Sequence, residues 1–138
     1  MNKKRLLNVA KALRESKAPD DFRMEVYSNY CGTPACALGH YASRRDLQTA
    51  FTFESKYGGY GRLYDDHGFS VDFIDEDIGQ HFDIDYRSCE ELFSASGCSN
   101  AKTTTDAATY IETWVANPRN QAINFDPDVW EQQLQSDD

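Results

Sequence analysis

The sequence predicts a single α+β domain, mainly helical, with a small antiparallel sheet near its middle. Three observations predict it. Apolar residues recur at helical spacing near both ends of the chain. Between about 50 and 73, apolar and polar residues alternate around a turn rich in Asp and Gly. The 138 residues are 40% hydrophobic and 27% charged, the balance of a chain that folds around a core. A chain of this length buries roughly two-thirds of its extended surface, enough to fold without cross-links. The expected domain is 1–134, with 135–138 as a frayed acidic tail.

The elements follow in order. Leu6, Leu7, Ala10 and Leu13 share one face of a helix over 3–16, which Pro19 ends. Phe22, Met24 and Val26 alternate with polar residues as a short strand would, though a helical turn fits nearly as well. Thr33 and Pro34 have the chemistry of an N-cap and a first helical residue. The helix they would open places Cys36, Gly39 and His40 on one face, crowded with small residues. Phe51 and Phe53 alternate with Thr52 and Glu54, and Arg62–Tyr64 and Phe69–Phe73 flank the turn Asp65-Asp66-His67-Gly68 as a hairpin. Residues 74–82 form one short helix, and Asp85 caps a second over 86–95, stopped by Gly97. Thr105 or Asp106 caps a longer helix with Ala107, Ala108, Ile111, Trp114 and Val115 inward, ended by Asn117-Pro118. Asp126-Pro127-Asp128 opens a last helix carrying Val129, Trp130 and Leu134. The expected core includes Leu6, Leu13, Cys36, Leu38, Gly39, Leu92, Phe93, Ile111 and Val115.

Charge is laid out unevenly. The net charge of −9 hides a basic start: residues 1–18 hold six Lys or Arg against Glu15 alone. Residues 65–91 hold ten carboxylates against Arg87. A surface of that sign repels phosphate backbones and anionic lipid, so direct binding to nucleic acid or membrane is excluded. It attracts a basic surface of another protein. The residues expected to meet such a partner are Asp65, Asp66, Asp72, Asp75, Glu76, Asp77, Asp83 and Asp85, with Phe73 and Phe82 as apolar anchors and Phe69 and Tyr86 beside them. Acidity also serves solubility alone, and that plainer reading stands beside the partner reading.

Chemistry is less legible. Four cysteines (Cys31, Cys36, Cys89, Cys98) invite a disulfide reading, but no secretory signal accompanies them. The basic start is interrupted by Lys11 and Arg14 where a signal peptide would be apolar. No apolar run approaches the roughly 20 residues of a membrane span. A cytoplasmic protein is therefore expected. Cys36 and His40 lie one turn apart and offer a thiol with a base, or two metal ligands. An exposed Cys36 at a helix start would have a lowered pKa. His67 belongs to the predicted turn, and His81 sits one turn after Asp77, which would hold it. No calcium loop, phosphate loop, dinucleotide fingerprint or nucleophile elbow is present in the sequence. No cofactor is implied, and an enzyme is the less favoured class.

Cys31-Gly32-Thr33-x-x-Cys36-x-x-Gly39 resembles a segment of small uncharacterised bacterial and phage proteins. His81-Phe82-Asp83-Ile84, Glu91-Leu92-Phe93 and Asp106-Ala107-Ala108-x-x-Ile111 look similar to their C-terminal half. The likeness spans about 5–115, breaks at 46–73, and has His40 where an aromatic is expected. It implies a mostly helical fold and a bacterial or phage origin, and carries over no catalytic residue. The expected function is a non-enzymatic acidic interaction module. In a phage setting it would be an inhibitor that occupies a host protein's nucleic-acid-binding groove as a nucleic-acid mimic. The alternative is a metal- or thiol-dependent enzyme or sensor built on Cys36 and His40.

Overall fold

The computed structural model describes residues 1–17, 36–47, 49–54, 62–71, 75–93 and 101–136. The described elements run α1 (Lys3–Arg14), α2 (Ala37–Ala42), β1 (Thr52–Glu54), β2 (Arg62–Tyr64), β3 (Ser70–Val71), α3 (Glu76–Phe82), α4 (Tyr86–Phe93), α5 (Thr104–Ala116) and α6 (Pro127–Ser136). The fold is mainly helical α+β, with one small antiparallel sheet in the order β1-β2-β3.

Asn2 starts α1 through its side-chain oxygen, which accepts from Arg5 N–H. The helix packs Leu6, Val9, Ala10 and Leu13, all at most 1% exposed, mainly along α5. From α5 the residues Ala107, Ala108, Ile111, Trp114 and Val115 turn inward, as the spacing predicts. Each fully buried Leu or Ile contributes about 1.5–3 kcal/mol, so this seam is a large share of the fold's stability. The start of α5 differs from expectation by two or three residues. Its cap is Thr103, whose hydroxyl accepts from Asp106 N–H, and neither Thr105 nor Asp106 takes that place. A threonine run offers several equivalent caps, so spacing alone does not choose among them.

The hairpin forms as expected. Thr52 pairs with Tyr64, Glu54 with Arg62, and Leu63 with Val71. Its turn is built by Asp65, whose Oδ1 accepts from His67 N–H and Phe69 N–H at 2.9 Å each. Gly68 adopts a φ of +87° there, open to glycine without strain. Leu63 and Val71 face the core while their neighbours face outward.

Two other expectations shift. Helix α2 begins at Ala37 with Cys36 as its N-cap; Thr33 and Pro34 lie outside the described residues, as do the 22–26 strand, Asp72, Phe73 and Gly97. Helix α6 continues to Ser136, so part of the expected frayed tail is helical, with Asp137 and Asp138 outside the described residues. Within α6 only Trp130 is buried; Val129 and Leu134 are exposed. The nine core residues named from the sequence are all buried.

Trp130 lies on Gly79 of α3, and a Cβ there would overlap its ring, with Cε3 and Cη2 also only 3.0 Å away. Gly79→Ala therefore forces the indole out of its seat. The expected loss is about 1–3 kcal/mol, the usual penalty for overpacking. It is read as a lower urea midpoint at unchanged slope. An unchanged midpoint would show that the ring yields without strain.

Candidate interaction surface

The carboxylates of 65–91 divide by what the fold asks of them. Asp83 sits at the end of α3 with a left-handed φ of 55°, a conformation Asp tolerates better than most residues. Its Oδ1 accepts from Phe125 N–H at 2.9 Å and its Oδ2 from the Met1 ammonium at 3.1 Å. These donors hold its carboxyl below the usual carboxylate range, the Phe125 bond first. Asp85 accepts from Ser88 N–H at the start of α4 and from Gln133 Nε2 of α6, both at 3.0 Å. Glu91 accepts from Trp114 Nε1 at 2.9 Å. Asp83 and Asp85, expected on the partner surface, are thus tied to internal donors.

Of the two aromatic anchors, Phe82 is also corrected, while Phe73 lies outside the described residues. Phe82 is fully buried and packs on Tyr41, His81 and Phe93. Its position on the inner face of α3, opposite exposed Glu76 and Asp77, removes it from any docking surface. Tyr86 is 4% exposed and stands edge-on to Trp130. Phe69 at the tip of the hairpin is 71% exposed and remains available as a contact.

Another set of acids does gather. Asp75 caps the backbone start of α3 without lending its side chain to a cap bond. Glu76 and Asp77 follow in the first turn, where the helix dipole favours negative charge. Asp77 faces a cleft of about 330 Å³, lined with Asp65, Asp66 and His67 of the hairpin turn, Gln80 and His81 of α3, and Ala50 and Phe51. Partial burial pushes the Asp77 carboxyl up, and the nearby charges of Asp75, Asp65 and Asp66 push it further; His67 opposes them. Segments separated by ten residues of chain thus present their carboxylates to one space. His67 approaches Asp66 at 3.6 Å, and both are well exposed. No residue of the basic first helix is among the described residues that line this cleft. Its Arg14 pairs with Glu112 of α5, and Arg5 donates to the carbonyl of His81 at 2.8 Å.

Cys36 and His40 are both buried, so the exposed thiol on which a lowered pKa depends is not present. Cys36 is 1% exposed, and its Sγ accepts from Gly39 N–H at 3.3 Å. Backbone N–H groups at the helix start do lower the thiol's pKa, but burial outweighs them and holds it at about 12. A thiol so held is protonated and shielded, the opposite of a reactive thiolate. Among the described residues no three His, Cys, Asp or Glu side chains come together as metal ligands. Burial likewise pushes Cys89 up. Cys31 and Cys98 lie outside the described residues.

His81 is not held by Asp77. It turns inward, 8% exposed, and its Nε2 meets the Tyr41 hydroxyl at 2.7 Å. Nothing in the sequence marks this partner, forty residues away. A second feature missed is Ala50, whose φ of 63° bends the chain beside the cleft; Thr49 Oγ1 braces it by donating to Phe51 O at 2.8 Å. The chain matches no family model, no curated protein and no solved structure in the comparisons made. Among the described residues no helix is long and apolar enough to cross a membrane.

The carboxylate crowding has a measurable sign. A folded-state pKa raised above the unfolded one means that the folded state holds its proton more tightly, so ionising Asp77 as pH rises destabilises the fold. Asp77→Asn therefore stabilises the protein at pH 7, by no more than about 0.5 kcal/mol because solvent screens so exposed a group. Added NaCl stabilises wild type more than the variant in urea titrations. Equal salt responses would show that the carboxylates do not feel one another.

Proposed function

We propose that this chain is a non-enzymatic interaction module that docks its acidic surface on a basic surface of another protein. The docking face is the 65–68 turn with the first turn of α3, and Phe69 is its apolar contact. The observation that carries the reading is the convergence of Asp65, Asp66 and Asp77 on one cleft, with the charge of Asp75 close enough to act on Asp77. Like charges brought together from two elements weaken a fold, and a cationic partner reverses that penalty. Solubility alone is served by scattered acids and does not ask for such crowding.

In its finer form the proposal takes the partner surface to be a nucleic-acid-binding groove, with carboxylates standing where phosphates would lie. The resemblance to phage and bacterial proteins favours that form, in which the chain acts as an inhibitor. Exposed Phe69 supplies desolvated area that charge alone lacks. Charge then sets association speed and partner choice.

The test uses a deca-lysine peptide as probe, followed by calorimetry. Joint reversal of Asp66, Asp75 and Asp77 to Lys is expected to weaken binding at least about tenfold, while reversing Asp126, Asp128 and Glu131 at the start of α6 changes it less than about threefold. Binding by wild type should fall steeply between 50 and 300 mM NaCl. If both triple variants lose affinity equally, the chain is uniformly acidic and has no docking face.

A further inference from the structure

Helix α2 carries two neighbouring polar rings into the interior. His40 is 6% exposed, and its Nε2 has no hydrogen-bond partner. Tyr41 is fully buried, and its hydroxyl meets His81 Nε2 on α3. The His81 ring stands edge-on to Phe51 at 5.0 Å and to Phe82 at 4.8 Å. Two largely buried imidazoles thus lie in or against one six-residue helix. A helix so short has no stability of its own and is held by its packing.

Among the described residues neither ring is hydrogen-bonded to a charged side chain. Arg5 of α1 approaches His81 from one side, bonded to that residue's own carbonyl. Tyr41 covers it from α2. Across the cleft stand Asp65, Asp66 and His67, and Asp77 lies one turn earlier on α3, none of them hydrogen-bonded to the ring among the described contacts. Beside His40 the titratable neighbour on its own helix is Cys36, a protonated thiol used as the N-cap.

We propose that α2 is an acid-releasable element: protonation of His40 and His81 frees it from α1 and α3, uncovering Cys36 while the α1–α5 seam stays closed. An imidazolium in either site would be a buried cation with no hydrogen-bonded counter-charge among the described residues, which a local opening relieves. Burial holds both histidines down to about 4, and Arg5 adds to the effect at His81. A freed histidine titrates near 6.5. The docked helix is therefore fully stabilised above that value and loses stability as pH falls towards 4. The gain in the open state between pH 7 and pH 5 is roughly twentyfold per histidine, or on the order of a few hundredfold for both. Asp83 and Glu112, held below their ordinary ranges by their partners, stay ionised at pH 5, so the framework ion pairs persist there.

The test is labelling of the intact chain by excess 4,4′-dithiodipyridine, which reacts in mild acid, with each rate scaled to urea-unfolded protein at the same pH. Peptide mass spectrometry separates Cys36 from Cys89, which is equally buried but sits on α4. The expected result is a rise in Cys36 labelling of at least about a hundredfold from pH 7 to pH 5, with Cys89 protected throughout. His81→Gln, which keeps a partner for Tyr41 but cannot charge in this range, should remove about a twentyfold share of that rise. Hydrogen exchange of wild-type α2 amides against α4 amides gives the same reading if that variant does not fold. Cys36 labelling independent of pH, or Cys36 and Cys89 opening together, would overturn the proposal.

Discussion

The buried hydrogen bond between Tyr41 and His81 joins α2 to α3, and the acidic cleft takes its shape from that joint. His81 supplies part of the cleft wall on one side and part of the aromatic core on the other. Its ring is fixed by Tyr41, Phe51 and Phe82 together. A neutral-to-neutral hydrogen bond contributes only about 0.5–1.5 kcal/mol net, but a buried imidazole nitrogen left unpaired costs more than that bond gains. Position, more than energy, is what the pair supplies. It sets the register of α3 against α2, and hence where Asp77 meets the hairpin turn.

Acidic residues in this molecule perform two kinds of work. Asp65 accepts within its own turn, whereas Asp83, Asp85 and Glu91 accept from donors elsewhere in the chain and bind segments to one another. Asp83 connects the start of the chain, the end of α3 and the segment before α6. Asp66, Asp75 and Asp77 do little of this and crowd one another instead. The same residue type, at similar density in the sequence, is therefore mortar in one place and exposed charge in the other. Asp65 belongs to both groups: one oxygen shapes the turn while its charge adds to the field in the cleft.

Helix positions and most inward faces were legible from period, because burial repeats at the pitch of the helix; Leu7 of α1 and Val129 and Leu134 of α6 are the exceptions and stay exposed. The hairpin was legible from Asp65 to Gly68, because those residues satisfy a tight turn locally. Legibility failed wherever a residue's role depends on something distant in sequence. Phe82 looks like an anchor beside acids until α2 and α4 cover it. Asp83 and Asp85 look like more surface charge until Phe125 and Gln133 arrive from the C-terminal segment. His81 next to Asp77 suggests a local pair, yet Tyr41 takes it. Cys36 at a helix start suggests a reactive thiolate, and burial reverses its pKa. In each case local chemistry was read correctly and tertiary packing outweighed it.

The seat of Trp130 on Gly79 has a practical consequence. The chain holds two tryptophans, and they report on different parts of the molecule. Trp114 is fixed in α5 by Glu91, whereas Trp130 is the buried residue by which α6 grips α3. Replacing Trp114 with Phe would leave a single tryptophan whose emission follows α6, so that lifting of that helix becomes visible apart from melting of the core.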